Sequence, residues 1–391
     1  MRDLLGRPVV TLDTPELQRF IAGKVILVTG AGGSIGSELC RQCLRFCPKR
    51  LILVERAENA LFEVDRELRD RWVGAEIVPV LADVTDRRRI GAVVEAHRPH
   101  VVFHAAAHKH VPMMEANPGE AIKNNVFGTQ VAAEVASECG VGSFVLISTD
   151  KAVNPTSVMG ATKRVAEMVV QGMHEKDRTG RPARRPLDMA AWNEASARTR
   201  FTAVRFGNVL DSSGSVVPIF RRQIERGGPV TVTHPEMRRY FMTIPEASQL
   251  VMQAAATGRG GEVFVLDMGE PVRIVELAER LIREYGKRPG RDIEIRFSGI
   301  RPGEKLFEEL SERGARTLPT DHPKIRVWPL PGVSPGALSA RLATLREVVD
   351  ADPATAMSAL AACVPEYAPS APRSPLRLVD DAPGDAAPAA A

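Results

Sequence analysis

The sequence predicts an α/β fold, a doubly wound parallel sheet carrying a smaller C-terminal lobe. Three observations predict it. Short apolar runs alternate with longer helix-patterned stretches between residues 24 and 206. The runs are continuously apolar, as strands buried on both faces require. A glycine-rich turn joins the first run to the first long helical pattern.

The elements follow in order. Residues 1–23 form a polar lead-in with one amphipathic turn at Leu17–Ile21. KVILVT (24–29) is the first strand, followed by helix 34–46. LILV (51–54) precedes helix 57–71, and IVPVL (77–81) precedes helix 87–97. VVFH (101–104) precedes a long helix near 118–139, and SFVLI (143–147) precedes helix 158–174. Residues 175–199 are rich in Arg and Pro and lack a period, which reads as a surface insertion. FTAVRF (201–206) closes the first domain, 24–210. Residues 211–330 read mainly as a substrate-covering lobe. It has strands near 230–233 and 262–266, and helices near 244–257, 274–286 and 303–312. Residues 331–365 read as a helical segment. The Pro/Ala-rich 366–391 cannot bury a core and reads as a disordered tail.

Composition limits the function. The 391 residues carry a net charge of +4, with the two signs mixed. No basic stripe with interleaved aromatics points to nucleic acid. No run approaches the roughly 18 apolar residues of a membrane span. The start MRDLLGRPVV has no apolar core like that of a signal peptide, so a cytoplasmic location is expected. Cys40, Cys43 and Cys47 fall at helical spacing, while Cys139 and Cys363 stand far away. They read as buried thiols, since no second ligand pair stands near them; no metal site is expected.

The turn TGAGGSIG (29–36) spaces Gly30, Gly33 and Gly36 as GxxGxxG. Glycines there let the chain turn sharply and approach a pyrophosphate, and the helix opening at Ser34 and Ile35 offers its N–H groups. A strand before and a helix after make this a Rossmann-type site for NAD or NADP. Glu55, ending the second strand, is placed to bind the adenosine ribose and favours NAD; Arg56 beside it would suit the 2′-phosphate of NADP. Asp83 and Val84 lie at the adenine edge. Ala105, Ala106 and Ala107 let the dinucleotide approach the backbone, and Asn125 completes the cofactor set.

Ligands bind beyond the carboxyl ends of the strands in such sheets. The fifth strand ends in Ser148, Thr149, Asp150 and Lys151, and the next helix carries Met159-x-x-x-Lys163 on one face. This spacing resembles the extended short-chain dehydrogenase/reductase superfamily. The resemblance makes Lys163 the ligand of the nicotinamide ribose. It also puts Met159 where that superfamily has its proton-accepting Tyr, and a thioether takes no proton. Either the chain is a non-catalytic NAD-binding regulator, or another group carries the proton. The Asp150–Lys151 pair favours catalysis over a surface ion pair.

Four longer motifs narrow the resemblance. They are STDKAVNPTSVMGATK (148–163), AAAHKHVPMME (105–115), RFGNVLDSSGSVVP (205–218) and IRPGEKL (300–306). Together they are similar to the UDP-N-acetylglucosamine 4,6-dehydratases of the polysaccharide biosynthesis protein family. The similarity covers about residues 20–312. Met159 resembles the membrane-anchored members that retain configuration at C5, as does the lead-in Arg2–Arg7. The resemblance implies hydride removal from C4, then proton removal from C5 by a partly neutral Lys151 in a cationic pocket. A protonated Asp150 would release the C6 hydroxyl as water before hydride returns to C6. Thr149 would bind near O4, and a water, Asp150 or the substrate would take the C4 proton. It further implies that Lys109, His110, Asn208, Val217, Arg239, Arg301 and Glu304 hold the substrate, and that the protein forms a homo-oligomer. A C5-inverting dehydratase and a nucleotide-sugar 4-epimerase are the enzymatic alternatives.

Overall fold

The computed structural model describes residues 14–179, 198–310, 317–330 and 332–369. The expectations for Arg2–Arg7 and for most of 175–199 and 366–391 lie outside the described residues.

Among the described residues nine strands form one sheet. In chain order the first six are β1 (Val25–Thr29), β2 (Arg50–Glu55), β3 (Ile77–Leu81), β4 (Val101–His104), β5 (Ser143–Ile147) and β6 (Arg200–Arg205). Short strands β7 (Asn208–Val209), β8 (Val230–Val232), β9 (Arg238–Arg239) and β10 (Phe241–Met242) follow. Then come β11 (Val263–Leu266), β12 (Val272–Arg273), β13 (Ile295–Phe297), β14 (Leu318–Pro319) and β15 (Ile325–Trp328). The large sheet has the order β14-β15-β11-β6-β5-β4-β1-β2-β3. It is parallel from β3 through β11, with antiparallel β15 and β14 at one edge. The doubly wound fold predicted from the apolar runs is therefore present.

The helices are α1 (Pro15–Ile21), α2 (Ser34–Leu44), α3 (Glu58–Arg71), α4 (Arg87–His97), α5 (Val111–Ala116), α6 (Pro118–Ala121) and α7 (Gly128–Glu138). They continue with α8 (Val158–Thr179), α9 (Val216–Glu225), α10 (Ile244–Thr257), α11 (Ile274–Glu284), α12 (Pro335–Glu347) and α13 (Pro353–Cys363). Alternate residues of β1 enter opposite cores. Val25 and Leu27 meet α4, α7 and α8, with α12 and α13 beyond, whereas Ile26 and Val28 meet α1, α2, α3 and α10. Burial on both faces explains why the strands read as unbroken apolar runs. Among the described residues no helix is long and apolar enough to cross a membrane.

A third core joins α9, α11 and β8 through Phe220, Leu281 and Val230. Residues 211–330 thus divide: this lobe takes part of them, while β11, β14 and β15 return to the large sheet.

Three readings need correction. The long helix near 118–139 is broken by a π-helical segment, Ile122–Phe127, between α6 and α7. No helix occupies 303–310. Gly303 takes φ +77°, and Phe307 forms a bridge with Arg238. The tail's first residues are packed: Tyr367 is buried, and the Ala368 N–H donates to the Pro155 carbonyl at 3.0 Å.

Candidate active site

The carboxyl ends of β1, β4, β5 and β6 meet at one edge of the sheet, with Thr29 opposite His104 and His104 opposite Leu146. Gly30 turns the chain off β1 at φ +66°, where a Cβ would stand 2.7 Å from the Ala106 nitrogen. Gly36 lies against the Gly30 carbonyl, with no space for a side chain. Gly33 is the N-cap of α2 and supplies no side-chain cap. The N–H groups of Ser34, Ile35 and Gly36 in its first turn are therefore suited to an anion. Ser34 Oγ accepts from the Ser213 N–H at 3.0 Å, tying this turn to the loop before α9.

Glu55 closes the turn. Its carboxylate accepts from the N–H groups of Gly32 at 3.1 Å, Arg56 at 2.9 Å and Ala57 at 3.0 Å. Arg56 reaches His108 Nε2 at 3.1 Å and Asp83 Oδ2 at 3.6 Å. Val84 is buried against Gly128. Ala105 donates its N–H to the Thr29 carbonyl at 3.1 Å, and Ala106 donates to Thr29 Oγ1 at 3.4 Å; Ala107 is exposed.

His104 lies beneath this turn, fully buried between Thr29 Oγ1 (2.8 Å) and Thr129 Oγ1 (3.1 Å). Burial and the nearby Lys163 lower its pKa to about 3, so it is neutral. Thr129 donates to the Asn125 carbonyl at 2.7 Å, which leaves its oxygen to accept from Nε2–H. Asn125 sits in the π-helical segment. Its amide meets the backbone of His108 at 2.8 and 3.0 Å and Thr162 Oγ1 at 3.1 Å, bracing the loop after β4 against α8. The polar residue ending VVFH was the available sequence signal for His104.

At the end of β5, Ser148 donates to Glu167 at 2.6 Å, and Arg205 grips Glu167 in two bonds of 2.6 and 2.5 Å. Thr149 Oγ1 donates to Asp150 Oδ1 at 2.9 Å. Lys151 Nζ donates to Asp150 Oδ1 at 2.9 Å and to Asn208 Oδ1 at 3.0 Å. Asp150 is 1% exposed. Its second oxygen, Oδ2, has no hydrogen-bond partner among the described residues and faces Gly207, whose absent Cβ would stand 3.1 Å away. Tyr240 borders the same gap.

The expected cationic pocket and partly neutral Lys151 require correction. Burial opposes its charge, but Asp150 and Glu308 outweigh that and raise the Lys151 pKa. Glu308 was missed by the sequence reading. Its Oε1 lies 3.9 Å from Lys151 Nζ and 3.7 Å from Arg239.

Met159 is buried, its carbonyl accepting from Thr162 Oγ1 at 2.9 Å. Lys163, one turn on, is also buried, and desolvation lowers its pKa to about 8. Arg239 gives its guanidinium to the carbonyls of Arg238 (2.7 Å), Lys305 (2.9 Å) and Leu306 (3.3 Å). Arg301 pairs with Glu304 at 2.6 Å on the surface. His110 packs on Gly214, and Lys109 is lowered by its surroundings and by the Lys151 ammonium. Val217 is fully buried in the lobe core and presents no side-chain surface.

Residues 26–329 match the family of polysaccharide biosynthesis proteins. The capsular polysaccharide biosynthesis protein CapD of Staphylococcus aureus is 57% identical over 79% of this chain and 49% of its own length, so the chain spans about half of that relative. Two more distant relatives bear different activities in their names. A UDP-N-acetylglucosamine 4,6-dehydratase (inverting) of Campylobacter jejuni is 33% identical over 73% of this chain and 77% of its own. A UDP-glucose 4-epimerase of Rickettsia rickettsii is 32% identical over 73% and 77%. The structure of Pen from Bacillus thuringiensis superposes with a TM-score of 0.69 at 31% identity, covering 81% of this chain and 91% of that one.

Proposed function

The chain belongs to the polysaccharide biosynthesis protein family, and from that premise we propose that it converts UDP-N-acetylglucosamine to a UDP-4-keto-6-deoxy-N-acetylhexosamine, with retention at C5. One observation carries this reading. Asp150 holds a buried carboxylate oxygen that has no hydrogen-bond partner among the described residues, beside an amine at the end of β5. An unmet buried oxygen is costly, and a sugar hydroxyl would satisfy it. A 4-epimerase oxidises only C4 and has no use for an acid–base pair aimed at a second carbon.

The glycine turn fits NAD or NADP: its backbone leaves no space for a side chain at Gly30 or Gly36, and the first turn of α2 lacks a side-chain cap. Glu55 favours NAD there. The dinucleotide supplies reversible hydride chemistry between C4 and C6, and the transient C4 ketone acidifies C5. Lys163 holds the nicotinamide ribose, and Thr149 binds the sugar near O4. Lys151, as free amine, takes the C5 proton. The proton passes to Asp150 across 2.9 Å and leaves from Asp150 to the C6 oxygen, which departs as water. Asp150 therefore need not start protonated. Water takes up the O4 proton as the C4 ketone forms, and Lys151, protonated again from water, returns a proton to C5 as the hydride reaches C6. At the nucleotide end, Arg301 opens from Glu304 to meet the diphosphate, which guanidinium geometry suits.

Purified protein with UDP-N-acetylglucosamine and NAD should give a nucleotide sugar lighter by one water, without accumulating reduced cofactor. Asp150→Asn and Lys151→Met should abolish that loss. An isomer of unchanged mass would assign an epimerase instead, and full activity in either variant would overturn the assigned roles.

A further inference from the structure

Lys151 has to lose a proton before it can act as a base, yet its surroundings hold that proton. The charged groups facing it come from four places. Asp150 shares its turn; Glu308 comes from the 303–310 segment, Arg239 from β9, and Lys109 from the loop after β4. Asn208, on β7, is its neutral hydrogen-bond partner.

Glu308 differs from the other carboxylates of its segment. Glu304 is taken by Arg301 at 2.6 Å, and Glu309 accepts from Lys305 at 2.8 Å. Glu308 is buried and turned inward between Lys151 and Arg239. The segment is fixed to hold it there. Lys305 donates to the Val153 carbonyl at 3.0 Å, the Gly303 carbonyl accepts from Thr156 Oγ1 at 3.1 Å, and Phe307 bridges to Arg238. All these anchors lie on the catalytic turn, the entry to α8, or β9. Burying a carboxylate is costly unless it is paired; burial pushes the Glu308 carboxyl up, and Lys151, Arg239 and Lys305 draw it back, the arginine being already occupied by backbone carbonyls.

We propose that Glu308 is a positioning residue that sets the basicity of Lys151: its carboxylate, 3.9 Å from Nζ, stabilises the ammonium and fixes the pH above which the free amine forms. This rests on the dehydratase reading for its significance, but not for its test. Removing an anion beside an ammonium makes the ammonium the stronger acid. At this separation one charge displaces a pKa by about one to three units, depending on the effective dielectric.

The test reads the amine directly. The protein is treated with the acetylating reagent methyl acetyl phosphate across a pH series, and Lys151 acetylation is quantified by peptide mass spectrometry. In Glu308→Gln the midpoint should fall by about one unit or more. In Glu308→Asp, which keeps the charge but withdraws it, the fall should be smaller. Glu309→Gln, which removes the carboxylate paired with Lys305, should leave the midpoint near the wild-type value. Thermal melts establish that each variant is folded. Once the wild type is shown to dehydrate the substrate, the acid limb of the Glu308→Gln pH–rate profile should lie at lower pH than that of the wild type. A structural role alone would lower the rate at every pH without moving the limb. An unchanged Lys151 midpoint in folded Glu308→Gln would overturn the inference even if dehydration is confirmed. A shifted midpoint in a protein that never releases water would leave the inference standing and overturn the dehydratase reading.

Discussion

Gly160 lies against the carbonyl of Lys151, so closely that a Cβ there would overlap the oxygen. The first turn of α8 and the turn carrying Asp150 and Lys151 thus meet backbone to backbone, which fixes Lys163 relative to that pair. Gly160→Ala should cost about 1–3 kcal/mol of stability through forced displacement, with a loss of turnover. Gly91→Ala, on α4 with nothing within 4 Å of its added methyl, should be neutral or stabilising by up to about 1 kcal/mol. Urea unfolding of the two variants checks the contrast; equal stabilities would contradict the close packing at Gly160.

Lys163 makes stability depend on alkaline pH. Its folded pKa is about 8, lowered from 10.5 by desolvation. Between these values the unfolded chain binds more protons than the folded one, so stability rises with pH. A depression of that size corresponds to about 3 kcal/mol, as an order of magnitude. In cofactor-free protein, Lys163→Met should lose this rise, its stability differing most from wild type near pH 7 and least near pH 10. Parallel curves from pH 7 to 10 would sink the assignment.

Glu167 and Arg205 form a buried pair beneath Ser148. Burial works against the Glu167 charge, but Arg205, Arg164 and Ser148 outweigh it, and the folded pKa is lowered. Stability from this group is present above the ordinary carboxylate pKa and is lost as pH falls through the folded value. Glu167→Gln alone should cost about 3–5 kcal/mol, since it strands a buried guanidinium. Glu167→Met combined with Arg205→Met should cost less than the single change. Denaturant melts of both variants decide; a double variant that costs as much as Glu167→Gln, or more, would contradict the account.

The parallel sheet was legible because both of its faces are buried, so each strand is apolar along its whole length. The glycine turn was legible because its spacing follows from backbone contact, as at Gly30 against Ala106. Glu308 was not. It sits in EKLFEEL, where Lys305 and Glu309 stand four apart and suggest a helix. The pair does form, at 2.8 Å, but the bridge from Phe307 to Arg238 holds the chain in another conformation. That bridge, with the anchors at Lys305 and Gly303, holds Glu308 inward. Asn125, in the π-helical segment, gives its amide to the loop after β4 and to α8.

Glu55 should set cofactor preference. Its carboxylate at the rim of the turn would bind a ribose hydroxyl and repel a 2′-phosphate. Titration calorimetry should show NAD binding more tightly than NADP, by about 1.4 kcal/mol or more, and Glu55→Gln should narrow the difference. Tighter NADP binding in the wild type would assign the site to Arg56 instead.

The central claim, elimination across C5 and C6 within one cofactor cycle, is tested most directly with UDP-N-acetylglucosamine deuterated at C4. The account predicts that NMR of the product finds this deuterium in the C6 methyl group, beside a C4 ketone and with retained configuration at C5. Deuterium returned to C4 of an intact, epimerised sugar would contradict it.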